Sequence, residues 1–177
     1  MSTYVALFRG INVGGKNILP MKDLVGILEG LGCEKVKTYI QSGNAVFQLK
    51  GNITKKIAEE ISSKILKSHG FKPKVLLVEV RELEDAINNN PFKSMEGKSL
   101  HFFFLASPPA KPNLDELANV KSISEEFKLD KNIFYLYAPE GIGRSKLAAR
   151  VEQALGVPVT ARNWNTVSNL IAMVKKA

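Results

Sequence analysis

The side chains best suited to chemistry lie in one run, Arg9-Gly10-Ile11-Asn12-Val13-Gly14-Gly15-Lys16-Asn17. Glycine takes positive φ at no steric cost and lets backbone amides converge. With a lysine and a helix start nearby, such a loop makes a seat for an anion. The spacing Gly10-x4-Gly15-Lys16 matches a phosphate-binding P-loop up to its last position. That position holds Asn17, where the motif needs a Ser or Thr hydroxyl for magnesium. The ligand contacts expected here are Arg9, Asn12, Gly14, Gly15, Lys16 and Asn17. The competing reading is a structural turn that merely needs glycine.

A second run, Pro139-Glu140-Gly141-Ile142-Gly143-Arg144-Ser145-Lys146, repeats the logic: two glycines, a serine able to cap a helix, and two cations over its start. It is read as lying at the corresponding end of a second half, with Arg144, Ser145 and Lys146 as a second anion seat. Thr160-Ala161-Arg162-Asn163-Trp164-Asn165-Thr166 is dense in donors. One reading sets Arg162 and the asparagines beside Arg144 in a polar pocket. The plainer one has Asn163 or Asn165 capping the last helix and Trp164 filling core. Gln41-Ser42-Gly43-Asn44 reads as a hairpin turn, expected at the opposite strand end from the 10–20 loop.

Enzyme constellations are thin. His69 and His101 have no acid or nucleophile at triad-like or metal-ligand spacing. His101 reads as a packed strand residue and Cys33 as a small apolar one. The pairs Glu59-Glu60 and Glu125-Glu126 fall on expected solvent faces. A single cysteine excludes an internal disulfide and a multi-cysteine zinc site. No cofactor is implied.

The elements that must position these residues follow from periodicity. Thr3–Arg9 is a strand, and Met21, Leu24, Val25, Leu28 and Leu31 recur at helical spacing until Gly32. Strands over Lys35–Gln41 and Asn44–Leu49 flank Ser42-Gly43. A helix from about Asn52 carries Ile53, Ile57, Ile61 and Ile65, and Lys74–Val80 is a strand. Strand, helix, strand, strand, helix, strand is the ferredoxin-like pattern. A linking helix over Arg81–Asn90 stops before Pro91. The order then recurs: strand Leu100–Leu105, helix Pro112–Val120, strands Ser122–Leu129 and Asn132–Tyr137, helix Ser145–Leu155, strand Val157–Ala161. A last helix carries Trp164, Val167, Leu170, Ile171 and Val174. The expected fold is therefore α+β, with two ferredoxin-like (βαββαβ) subdomains, 1–80 and 99–177. Residues 81–98 link them, and the second half adds a C-terminal helix. Tyr4–Phe8, Leu76–Val78 and His101–Leu105 are apolar on both sides, so the sheet faces away from the helices should be covered, by the other half or a second subunit.

The 177 residues are 45% hydrophobic and 24% charged, an ordinary globular balance. The five apolar residues Tyr4–Phe8 are too few for a secretory core, and no run approaches the ~20 of a membrane span. A soluble, cytoplasmic protein with no membrane partner is expected. The net charge of +8 is concentrated early: residues 1–80 carry 12 basic and 6 acidic groups, residues 81–177 carry 13 and 11. An anionic small molecule or nucleotide is a fitting partner. RNA on the sheet face is weakly supported, because Asn44–Leu49 has one aromatic and no basic-glycine lead-in.

The stretch Ala6–Asn17 with Met21, then Thr38-Tyr39-Ile40-Gln41-Ser42-Gly43-Asn44-Ala45-Val46-Phe47, resembles a bacterial family catalogued only as a domain of unknown function, number sixteen ninety-seven. Gly141–Leu147 and Thr160–Thr166 resemble that family's closing motifs, whereas Glu82–Asn119 carries no recognisable match. The resemblance implies paired ferredoxin-like units and brings no activity, cofactor or catalytic residue. The reading that follows is a binding or regulatory protein holding an anionic, phosphate-bearing ligand at its Gly/Lys/Arg turns. The alternatives are an enzyme of unknown reaction on a small polar substrate between the halves, and an interaction module, homodimeric through a sheet face.

Overall fold

The computed structural model describes residues 1–41, 43–52 and 55–177. Ser42 of the expected hairpin turn and Ile53 of the expected helical stripe lie outside the described residues, as does Thr54. The chain divides into two compact units, residues 1–85 with 169–177, and residues 86–168.

In the first unit β1 (Ser2–Arg9) leads to α1 (Met21–Gly30), β2 (Glu34–Tyr39), β3 (Asn44–Leu49), α2 (Lys55–His69) and β4 (Lys74–Glu79). The sheet order is β2-β3-β1-β4, with every neighbouring pair antiparallel. That is the ferredoxin order, fixed because each helix returns the chain past one strand to lie beside another. Alternate residues of the central strands, Tyr4, Ala6, Phe8, Ala45 and Phe47, pack with Leu24, Leu28, Ile61 and Ile65 of the helices. The other set, Val5, Leu7, Val46 and Val78, is buried too, so neither face of β1 is bare.

The second plan runs through α3 (Val80–Asn88), β5 (Leu100–Leu105), α4 (Leu114–Val120), β6 (Glu126–Asp130), β7 (Ile133–Tyr137), α5 (Lys146–Leu155), β8 (Val159–Asn163) and α6 (Trp164–Lys175). Its sheet order, β6-β7-β5-β8, repeats the first with all pairs antiparallel. Phe103, Leu105, Phe134 and Leu136 face Leu117 of α4 and Leu147, Val151 and Leu155 of α5. On the reverse face Phe102 meets Tyr135 edge-on at 5.0 Å and Trp164 at 5.7 Å. The Tyr135 hydroxyl there donates to the Ala86 carbonyl of α3 at 2.7 Å.

The helix ends obey local chemistry. Asn113 caps α4 by accepting from the Glu116 amide, Ser145 caps α5 from Ala148, and Gly156 ends α5 in the left-handed region. Asn163 accepts from the Thr166 amide at 2.9 Å, which is the capping role expected of it or of Asn165. No helix among the described residues is long and apolar enough to cross a membrane.

Candidate functional site

The segment after β1 closes on itself. The Asn12 amide donates to the Asn17 carbonyl at 3.0 Å and the Lys16 amide to Val13 at 3.1 Å. Gly14 and Gly15 have φ of +61° and +71°, the paired positive values that a two-residue type I′ hairpin demands. The glycines are thus required by a tight hairpin, and the Lys16 amide is engaged inside it. Asn12, at φ +52°, donates through Nδ2 to the carbonyls of Leu19 and Gln41, both at 2.8 Å, and accepts the Leu19 amide at 2.7 Å. Asn17 donates to the Gly10 carbonyl at 2.9 Å. These two expected ligand contacts therefore bind the loop itself. Arg9 and Lys16 are exposed at its edge, alongside the apolar Val13, Ile18 and Ile40, which are 63%, 56% and 49% exposed.

The expectation that this loop and the 41–44 turn lie at opposite strand ends is overturned. β1 and β3 are antiparallel neighbours with Leu7 opposite Asn44, so the end of β1 meets the start of β3. The Phe8 amide donates to the Gly43 carbonyl at 2.9 Å. A Cβ on Gly43 would stand 2.6 Å from both Phe8 Cβ and Ile11 Cδ1. Loop and turn are one packed corner.

The other cation-bearing turn borders a cleft. Arg144, Ser145, Lys146, Glu140, Gly141, Ala138, Glu125, Ser122 and Val120 line a cavity of about 250 Å³. The chain leaves β7, makes a single 3-10 turn over Ile142–Arg144 and enters α5. Arg144 and Lys146 are exposed on either side of the Ser145 cap. The first turn of α5 also has amides without intrahelical partners, as at any helix start.

Glu125 is the residue that sequence reasoning misplaced. Expected on a solvent face beside Glu126, it is 4% exposed: β6 begins only at Glu126, and residues 122–125 make a turn in which the Glu125 amide donates to the Ser122 carbonyl at 3.2 Å. Its Oε1 accepts the Ser122 amide at 2.8 Å, and its Oε2 accepts a short hydrogen bond from the Ser145 hydroxyl. A signal was available: Ser122-x-x-Glu125 is the spacing of a capping box, in which the acid reaches back to the first amide.

The two glycine-and-cation turns do not occupy matching places. The 10–20 loop follows the first strand of its unit, while 139–145 follows the third strand of the other. The repeat unit therefore pairs the 10–20 loop with the segment between β5 and α4, which has no glycine. Arg162 does not line the cleft. It sits opposite Phe102 in β8 and so faces away from α5, with Nη1 donating to the Ala161 carbonyl at 2.9 Å. Burial lowers its guanidinium pKa to about 10.

Among the described residues the remaining reactive side chains lie apart from the cleft lining. Folding brings His69 within 3.0 Å of Asp23 and sets the Ser68 hydroxyl 2.6 Å from Nδ1, a Ser-His-Asp chain that spacing 46 residues apart did not reveal. The Ser68 hydroxyl also lies 2.9 Å from the Lys64 carbonyl of the same helix. The trio ties the end of α2 to α1. His101 is buried, which lowers its pKa. Cys33 is buried and its thiol is pushed up to about 11 by desolvation. No group of three metal-ligating side chains occurs among the described residues.

Similarity to other proteins bears on the family and not on the cleft's ligand. The chain is similar in structure to a conserved bacterial protein of Streptococcus pneumoniae, SP0830, with 25% identity and a TM-score of 0.71 over 97% of this chain and 98% of that one. No curated protein matches it. Residues 1–135 match the family described as "Protein of unknown function (DUF1697)". That span includes the hairpin corner and Glu125 and ends before Arg144. The chain belongs to the DUF1697 family of proteins of unknown function.

Proposed function

We propose that this protein is a binding or regulatory protein that holds a phosphate-bearing small molecule in the cleft at the start of α5. The observation that carries the reading is the concave seat itself: Arg144 and Lys146 beside a capped helix start, all bordering one cavity. A helix start favours negative charge within its first turn. Arg144 would grip two phosphate oxygens at once, and Lys146 would act as a point charge. The hairpin corner supports the reading only indirectly. Its asparagines and the Lys16 amide are already engaged within the loop, so the proposed seat does not include them.

The test is a thermal-shift titration with inorganic phosphate, sugar phosphates and nucleotides. A ligand at about 100 times its Kd should stabilise the protein by roughly 2.7 kcal/mol. The Arg144→Ala, Lys146→Ala double variant should lose the shift and Lys16→Ala should keep it. No response to any of these anions, or an undiminished response in the double variant, refutes the proposal.

A further inference from the structure

The charges around the cleft do not add up to a simple anion trap. Arg144 and Lys146 contribute two positive charges, and Glu125 and Glu140 two negative ones. The carboxylates come from segments flanking β6 and β7, the cations from the turn into α5. Glu140 is exposed and solvated, but Glu125 is not.

A carboxylate as buried as Glu125 is expensive unless a cation compensates it. Among the described residues Glu125 forms no ion pair. Its partners are the Ser122 amide and the Ser145 hydroxyl, both uncharged. Lys121, four residues earlier, directs its ammonium to the backbone carbonyls of Ser122 and Glu125, at 3.3 and 3.0 Å. An ionised carboxyl group has about four acceptor positions, of which two are filled. The residue therefore borders the cavity with acceptor capacity and negative charge left over.

We infer that the ligand of this cleft is bipolar: a small phosphomonoester that also carries a primary ammonium. The inference rests on the proposed anion seat and adds the second half of the ligand. The phosphate lies with Arg144, Lys146 and the first turn of α5, and the ammonium meets Glu125. An ammonium suits Glu125 better than a hydroxyl does, because it supplies both the missing donor and the missing charge, and charge-assisted bonds are about twice as strong as neutral ones. Ser145 links the two ends, since its oxygen accepts the Ala148 amide while its proton is held by Glu125. The cavity, about 250 Å³, is below the range of drug-sized pockets, which favours a compact ligand over a nucleotide.

Three probes decide the matter by titration calorimetry at neutral pH: O-phosphoethanolamine, glycerol 1-phosphate and inorganic phosphate. The first two are of similar size, and only the first carries an ammonium. O-phosphoethanolamine should bind about tenfold or more tightly than glycerol 1-phosphate. Glu125→Gln should bring the two within about twofold by weakening O-phosphoethanolamine alone. Equal affinity in the natural protein overturns the bipolar ligand and leaves the anion seat standing. A preference that survives Glu125→Gln overturns Glu125 as the ammonium's partner. Failure of all three probes to bind overturns the seat and this inference together. Should Glu125→Gln fail to fold, the preference measured on the natural protein still decides.

Discussion

Asn12 offers the sharpest test of how the loop after β1 is held. Replacing it with alanine removes two donated bonds, to Leu19 and Gln41, and one accepted from the Leu19 amide. Two of the three are partly buried and one is exposed. At about 1 kcal/mol for each partly buried bond and about half that for the exposed one, the loss is roughly 2.5 kcal/mol. The backbone adds to it. Asn12 sits at φ +52°, a conformation asparagine tolerates and alanine resists by about 1 kcal/mol. The expected cost of Asn12→Ala is therefore about 3–4 kcal/mol of unfolding free energy, measured by urea denaturation followed by circular dichroism. Asn12→Gly lacks the bonds but not the backbone freedom, and should recover about 1 kcal/mol of that loss. A cost below about 1 kcal/mol for Asn12→Ala would refute the view that this asparagine staples the loop. A large cost shared equally by the glycine variant would remove the backbone contribution.

Further outcomes follow from the same geometry. Gly43→Ala puts a Cβ 2.6 Å from Phe8 Cβ and Ile11 Cδ1 at φ +91°, so overpacking and strain together should cost about 3 kcal/mol or more in the same assay; a neutral variant would mean the corner is not packed. Cys33, buried with its thiol near pKa 11, should resist a thiol reagent at pH 8 in the folded protein and react at once in denaturant, because only the thiolate attacks. Fast labelling of the folded chain would contradict its burial. His101 has its pKa lowered by burial from the ordinary 6.5. Its contribution to stability is complete above that value and is lost as pH falls toward the folded pKa, since the unfolded chain takes up the proton first. His101→Phe should flatten the stability profile between pH 7 and 5, and an unchanged slope would show that His101 does not govern it.

The element types were legible in the sequence because each rests on a local pattern. Leu24 and Leu28, or Ile61 and Ile65, recur at helical spacing, and both faces of Tyr4–Phe8 and Leu100–Leu105 are apolar. The duplicated ferredoxin order followed from sequence order alone. The caps at Ser145 and Asn163 were also legible, since a cap needs only an oxygen three residues before the amide it accepts. The need for glycine at 14 and 15 was visible, but not its cause: a hairpin tip and a ligand seat place the same demand on φ. Strand pairing decided the rest. Only the antiparallel register of β1 with β3 sets Gly43 against Phe8 and gives Asn12 its bond to Gln41. Alternation within β8 turned Arg162 away from the seat it was expected to serve, and the late start of β6 drew Glu125 inward to Ser145. Periodicity reports which face of an element is apolar. Which polar side chains meet across elements depends on register and on where each strand begins, and those are settled only when the whole sheet assembles.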